Sequence, residues 1–218
     1  MIKISSIAKK QIVAVSGLLL VGYLVFHLTM NLLIYFGPNA FNRFPEAAKA
    51  TGNVLHVAEA GLAAIFLIHI MFTVWVVIEN RRARGKGYEV KRATGKRSLA
   101  TRLMPYTATV LLLFLIIHLR DYTLADHHGY RSVIGAQNLG LFGLVINSFQ
   151  NPFRMVFYLI AMFSVGFHLA HGIQSVFQSF GVNHPTYTPA IQKISTAIGL
   201  FFAVAFSSIP LWGYYAQF

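Results

Sequence analysis

Apolar residues gather in five long runs along this chain, at about 12–36, 54–78, 103–119, 154–177 and 194–215, and polar residues gather between them. Several of the runs reach or exceed the ~20 residues needed to cross ~30 Å of hydrocarbon at ~1.5 Å per residue. The pattern predicts an all-α integral membrane protein with five transmembrane helices, spans I to V, in a single domain over residues 1–218. Gly37-Pro38-Asn39 closes span I with turn chemistry, and a loop of mixed charge (Arg43, Glu46, Lys49) leads to about residue 53. Pro105 falls in the first turn of span III, where its missing N–H costs nothing. Residues 120–153 read as mostly polar, with one apolar patch at 139–146 too short to cross, and so interfacial or re-entrant. Pro210 is expected to kink span V near its end.

Of the 218 residues, 56% are hydrophobic and only 11% are charged, too apolar a balance for a water-soluble globule. The run after the basic stretch 1–10 is too long for a signal-peptide core and no small-residue cleavage site follows, so span I is expected to stay in the mature protein. A net charge of +12 raises the question of nucleic acid. Its distribution argues against that, because nine Lys/Arg fall between Arg81 and Arg102, in one loop. Such a loop marks the cytoplasmic side and offers a surface to anionic lipid. The amino end is then inside and, after five crossings, the carboxyl end outside. Cysteine is absent, which excludes disulfides, thioether-attached haem and an iron–sulfur cluster ligated by this chain.

Four of the runs carry a histidine inside the hydrophobic stretch: His27, His69, His118 and His168. An ionisable group in a bilayer costs ~2.5 kcal/mol or more unless compensated, so each points to function. Neutral imidazole is an axial ligand for haem iron. Depth sorts the four into pairs. Spans I and III run outward, and His27 and His118 each lie 16 residues past Gln11 and Arg102, roughly 24 Å from the inner side. Spans II and IV run inward, and His69 and His168 lie 15 and 14 residues past Val54 and Arg154, which leaves them about 8–10 Å from the inner side. The expectation is two haem b groups, an outer one between His27 and His118 and an inner one between His69 and His168. Spans I–IV would form the haem-binding four-helix bundle, with the histidine-free span V peripheral. His171, three residues beyond His168, competes for the same ligand position, with a hydrogen-bonding or propionate role otherwise.

These residues resemble the di-haem cytochrome b membrane-anchor subunit of succinate:quinone oxidoreductases and fumarate reductases, over nearly the whole chain. The most specific part is span I, with Ser16-Gly17, His27 ten residues after the glycine, Asn31, Gly37 and Phe41-Asn42. Span IV is similar through His168, Gly172 and Gly181, a spacing that favours His168 over His171. The 42 residues between His27 and His69 also look like the family. The resemblance implies a subunit of a respiratory enzyme in the bacterial cytoplasmic membrane. It would dock a flavoprotein and an iron–sulfur subunit on the cytoplasmic face and pass electrons through both haems to a quinone, menaquinone being the expected one. A higher oligomer of the complex is compatible with this. Some fumarate-reducing members have a glutamate two residues before the span IV ligand; here Gly166 stands there, which favours succinate oxidation.

A quinone site needs a polar, proton-exchanging group in an apolar pocket beside a haem. Glu59, His56, Asn31, Arg43 and Glu46 are the candidates near the outer pair, against the plain reading of Glu59 as a helix-end carboxylate. Haem propionates need cations, and Arg102, Lys193 and Arg97 suit the inner side and Arg120 the outer, although each also fits ordinary snorkelling. His127 and His128 read as solvated loop residues. Two other functions fit parts of the pattern. One is a cytochrome b anchor of another quinone-linked enzyme, such as a hydrogenase or formate dehydrogenase. The other is a haem-free transporter using the histidines as a proton relay, although the discontinuous half-helices common in transporters are not evident.

Overall fold

The computed structural model describes residues 4–83 and 99–216. Its first helix, α1 (Ser6–Leu32), is opened by the Ser5 side chain, which accepts from the Ala8 N–H at 3.1 Å. A 3-10 turn (Leu33–Phe36) extends it to Gly37, whose φ of +88° breaks the path. Then follow α2 (Pro38–Ala50), α3 (Asn53–Ala83), α4 (Leu99–His118) with a π turn (Leu119–Thr123), α5 (Gly140–Phe149), α6 (Pro152–Ser179) and α7 (Thr188–Tyr215). A small antiparallel hairpin pairs Val133 with Asn138 and Ile134 with Gln137 just before α5. Among the described residues five helical segments are long and apolar enough to cross a membrane, α1, α3, α4, α6 and α7, in the order of spans I–V. The chain is an all-α integral membrane protein. Each crossing helix extends several residues beyond the apolar run that announces it, because Ser5, Asn151 and the polar turns of the helix ends carry the backbone further than hydropathy alone.

The fifth span is not peripheral. On α7, Phe202, Ala203, Phe206, Ile209, Pro210 and Gly213 are buried. A Cβ built on Gly199 would come within 2.4 Å of the Gly166 carbonyl, and one on Gly166 within 2.8 Å of the Gly199 carbonyl. Two glycines facing each other bring the α6 and α7 backbones into direct contact, the small-residue packing expected between helices in lipid. The expectation failed because it equated lack of a ligand with lack of a place in the bundle. By contrast, among the described residues no side chain of α3 is buried. That helix packs chiefly on α1, through Gly17 against His69 and through Lys9, which is 5% exposed, ion-paired with Glu79 and seated 4.2 Å over the Trp75 ring.

Two local expectations also change. The stretch after Gly37 is a helix, started by Pro38 at its first position. It is amphipathic and buries Phe41 against Phe142 of α5 (ring centroids 6.3 Å apart). Pro105 sits within α4 rather than in its first turn, because the helix begins at Leu99. The apolar patch at 139–146 falls in α5, too short to cross as expected and packed against the rest of the protein: Phe142, Gly143, Leu144, Val145 and Ile146 are all buried. Asn42 joins α2 to it, donating to the Leu139 carbonyl at 2.8 Å and accepting from the Phe142 N–H at 3.0 Å. Pro210 lies inside α7, and the helix continues past it to Tyr215.

Replacing Gly199 by Val should therefore disrupt the α6–α7 contact, since backbone cannot yield as a side-chain tip can. The expected loss is at least the ~1–3 kcal/mol of overpacking, read as a lower unfolding temperature of the detergent-solubilised protein. Gly22→Ala, where a Cβ meets nothing within 4 Å, should leave it within error.

Candidate functional site

Two of the four span histidines, on helices distant in sequence, face each other across the bundle. His27 on α1 faces His118 on α4, with ring centroids 5.8 Å apart and planes at 83°. Tyr23, one turn before His27, stacks on its ring (5.4 Å, 22°) and brings its hydroxyl 3.4 Å from Nδ1. Phe206 of α7 packs 6.1 Å from the His27 ring. Around His118 stand Phe114, Tyr122 and Tyr158, at 5.2, 5.3 and 6.2 Å between centroids. This end of the site is therefore walled by aromatic rings from α4, α6 and α7.

His69 lies on α3 and His168 on α6. His168 lies within electrostatic reach of both His69 and His171. Ser16 Oγ lies 3.2 Å from His69 Nδ1. The adjacent Gly17 lets the ring approach α1, since a Cβ there would sit 3.0 Å from His69 Cε1. His171 is held differently, with Nδ1 3.0 Å from Thr101 Oγ1 on α4. His171 is thus tied to a neighbouring hydroxyl, while among the described residues His168 Nδ1 has no hydrogen-bond partner.

The donor chemistry of these residues fits imidazole ligation of a haem iron. His118 Nδ1 and His168 Nδ1 are buried with no hydrogen-bond partner, and an orphaned polar atom in an apolar interior costs about 1–3 kcal/mol. Two imidazole–metal bonds of roughly 2.0 Å each on opposite sides of an iron put the ring centres about 6 Å apart, close to the 5.8 Å found between His27 and His118. Among the described residues no three or more His, Asp or Glu side chains converge on one point. Ligation here would be pairwise, with the porphyrin nitrogens completing the iron's coordination.

The remaining candidates are more scattered. His56 and Glu59 face each other at 3.3 Å on the first turns of α3, with side chains 74% and 50% exposed. Glu59 also acts electrostatically on Tyr23, which connects this pair to the His27 surroundings. Asn31 is committed to its own helix, donating to the His27 carbonyl at 2.8 Å. Arg43 and Glu46 are exposed on α2. Arg102 and Lys193 are exposed at the end of the bundle where α1 begins, and Arg97 lies outside the described residues. Arg120 lies 3.2 Å from Asp121, so its charge already has a partner. His127 is not simply solvated, because Nε2 lies 2.6 Å from the Tyr122 carbonyl and Nδ1 2.7 Å from Lys49 Nζ.

Sequence reasoning passed over Tyr23, Thr101, Phe206, Asp121 and Arg154. Tyr23 carried a readable signal, four residues before His27 on the same helical face. The others meet the site only through tertiary packing. Asp121 is 2% exposed and pairs with Arg154 at 2.6 Å as well as with Arg120, next to Tyr122. Arg154 also lines a polar cavity of about 400 Å³ with Arg131, Asn147, Ser148 and Asn151. Asp121→Ala should cost about 3–5 kcal/mol, because it strands a largely buried guanidinium. Arg120→Ala, whose side chain is 69% exposed, should cost about 1 kcal/mol or less. Denaturant titration of the solubilised protein measures both.

The chain is 25% identical over 204 residues to the succinate dehydrogenase cytochrome b558 subunit of Bacillus subtilis (strain 168), a match covering 92% of this chain and 91% of that protein. No family model and no solved structure matches it.

Proposed function

We propose that this chain is the membrane-anchor cytochrome b subunit of a succinate:quinone oxidoreductase. It would carry electrons through two b haems between an iron–sulfur subunit and a quinone. The observation that carries the reading is the pairing of His27 with His118 and of His69 near His168, in a chain similar along nearly its whole length to a protein named as a succinate dehydrogenase cytochrome b558 subunit. That similarity favours a succinate dehydrogenase partner over a hydrogenase or formate dehydrogenase. The paired imidazoles favour metal ligation over a proton relay.

In this reading His27 and His118 are the axial ligands of one haem, and His69 and His168 those of the other. Haem b, when bound, supplies one-electron iron chemistry that the side chains lack. The chain's own residues hold and insulate it. Phe114, Tyr122, Tyr158 and Phe206 exclude water around His27 and His118, and Ser16 and Gly17 seat the His69 ring. His171, already held by Thr101, supports the wall rather than the metal. Tyr23 and Glu59 are the groups best disposed to exchange a proton with quinone near the His27 pair.

The end of the bundle bearing Lys9, Lys10, Arg81, Arg82, Arg102 and Lys193 is the cytoplasmic docking side for the flavoprotein and iron–sulfur subunits. The amino end is then inside and the carboxyl end outside, in a bacterial cytoplasmic membrane. Menaquinone is the quinone we favour. Gly166 adds a physical reason for the succinate-oxidising direction. A Cβ there would sit 2.7 Å from Ala203 Cβ, so this packing has no room for the glutamate that some fumarate-reducing members carry.

The test is purification of the chain with its associated subunits, followed by haem counting and a redox-titrated absorption spectrum. Two low-spin haems per chain are expected. His27→Ala and His118→Ala should each remove one and the same haem, His69→Ala and His168→Ala the other, and His171→Ala neither. A full haem complement in both His27→Ala and His69→Ala would overturn the reading.

A further inference from the structure

We infer that Ser16 is a positioning residue that sets the tautomer of His69, and through it the reduction potential of the haem that His69 holds. The inference rests on the haem reading above. Ser16 is 5% exposed, so its hydroxyl is satisfied by protein. Its one proton has a short acceptor in its own helix, the Ile12 carbonyl at 2.7 Å. A serine hydroxyl carries one donor and two acceptor lone pairs. With the donor committed, the 3.2 Å contact to His69 Nδ1 is an N–H donating to Oγ. The Val13 carbonyl, 3.2 Å from the same hydroxyl, is a second acceptor for that proton within the same helix. Nδ1 therefore carries the proton, and the lone pair is left on Nε2 for a metal.

The opposite arrangement would defeat ligation: were Ser16 to donate to Nδ1, the neutral ring would carry its proton on Nε2. Gly17 makes the contact reachable, since any side chain there would press on His69 Cε1. His118 and His168 have no such partner on Nδ1. A hydrogen-bond acceptor on the far nitrogen makes an imidazole a more basic ligand. A more basic ligand favours ferric over ferrous iron and lowers the potential. Ser16 thus biases one haem of the two.

The experiment is a redox titration, with electron paramagnetic resonance of the ferric haems, on the intact complex carrying Ser16→Ala or Ser16→Thr. With Ser16→Ala both haems should remain and one midpoint should rise. It should be the haem that disappears in His69→Ala, and its ferric g values should shift with it. Ser16→Thr, which keeps a hydroxyl, should restore the midpoint. Loss of that haem in Ser16→Ala with retention in Ser16→Thr would also support the assignment. Two unchanged midpoints, a downward shift, a shift confined to the other haem, or loss of haem in both variants would overturn it. A wild-type complex without haem would instead defeat the reading on which the inference rests, and that would be evident before any variant is made.

Discussion

An imidazole in hydrocarbon must find a partner, and this bundle is arranged around that requirement. Lipid offers no hydrogen bonds and little screening, so a histidine on a lone crossing helix is a standing cost. Helices α1, α3, α4 and α6 meet it in pairs. His27 reaches His118, and His69 lies near His168 and against Ser16. Two ring nitrogens, on His118 and His168, are still left without hydrogen-bond partners.

The helices around these pairs are held to different degrees, and the difference follows from what each packs against. The α6–α7 pair is joined backbone to backbone at Gly166 and Gly199 and closed by α5 beneath Phe149 and Gly213, so it forms a rigid wall. The α3 helix has no buried side chain and leans on α1 through a few specific contacts, Lys9 with Glu79 and Trp75, and His69 with Ser16 and Gly17. A wall that needs no ligand is built from small residues in direct contact. The α3 helix, by contrast, is left largely uncovered by the other helices.

Much of the architecture was legible because the bilayer makes hydropathy nearly sufficient. Five runs of the required length become five crossing helices, and histidines at matched depths become neighbours. Local chemistry at the ends was less legible. Pro105 and the Pro38 helix depend on where a helix begins, and caps such as Ser5 and Asn151 decide that rather than apolar content. The role of α7 could not be read at all from its lack of histidine, since Gly199 matters only opposite Gly166.

The sequence by itself determined the membrane class and the helices long and apolar enough to cross, because length and rise per residue set how far an apolar helix reaches. Tertiary structure alone decided which face each helix turns inward. Rotation about a helix axis leaves depth unchanged, and in lipid it is set by side-chain contact rather than by avoidance of water. That rotation is what turns His27 toward His118 and ties His171 to Thr101, and it is what puts the Ser16 hydroxyl within reach of one particular nitrogen.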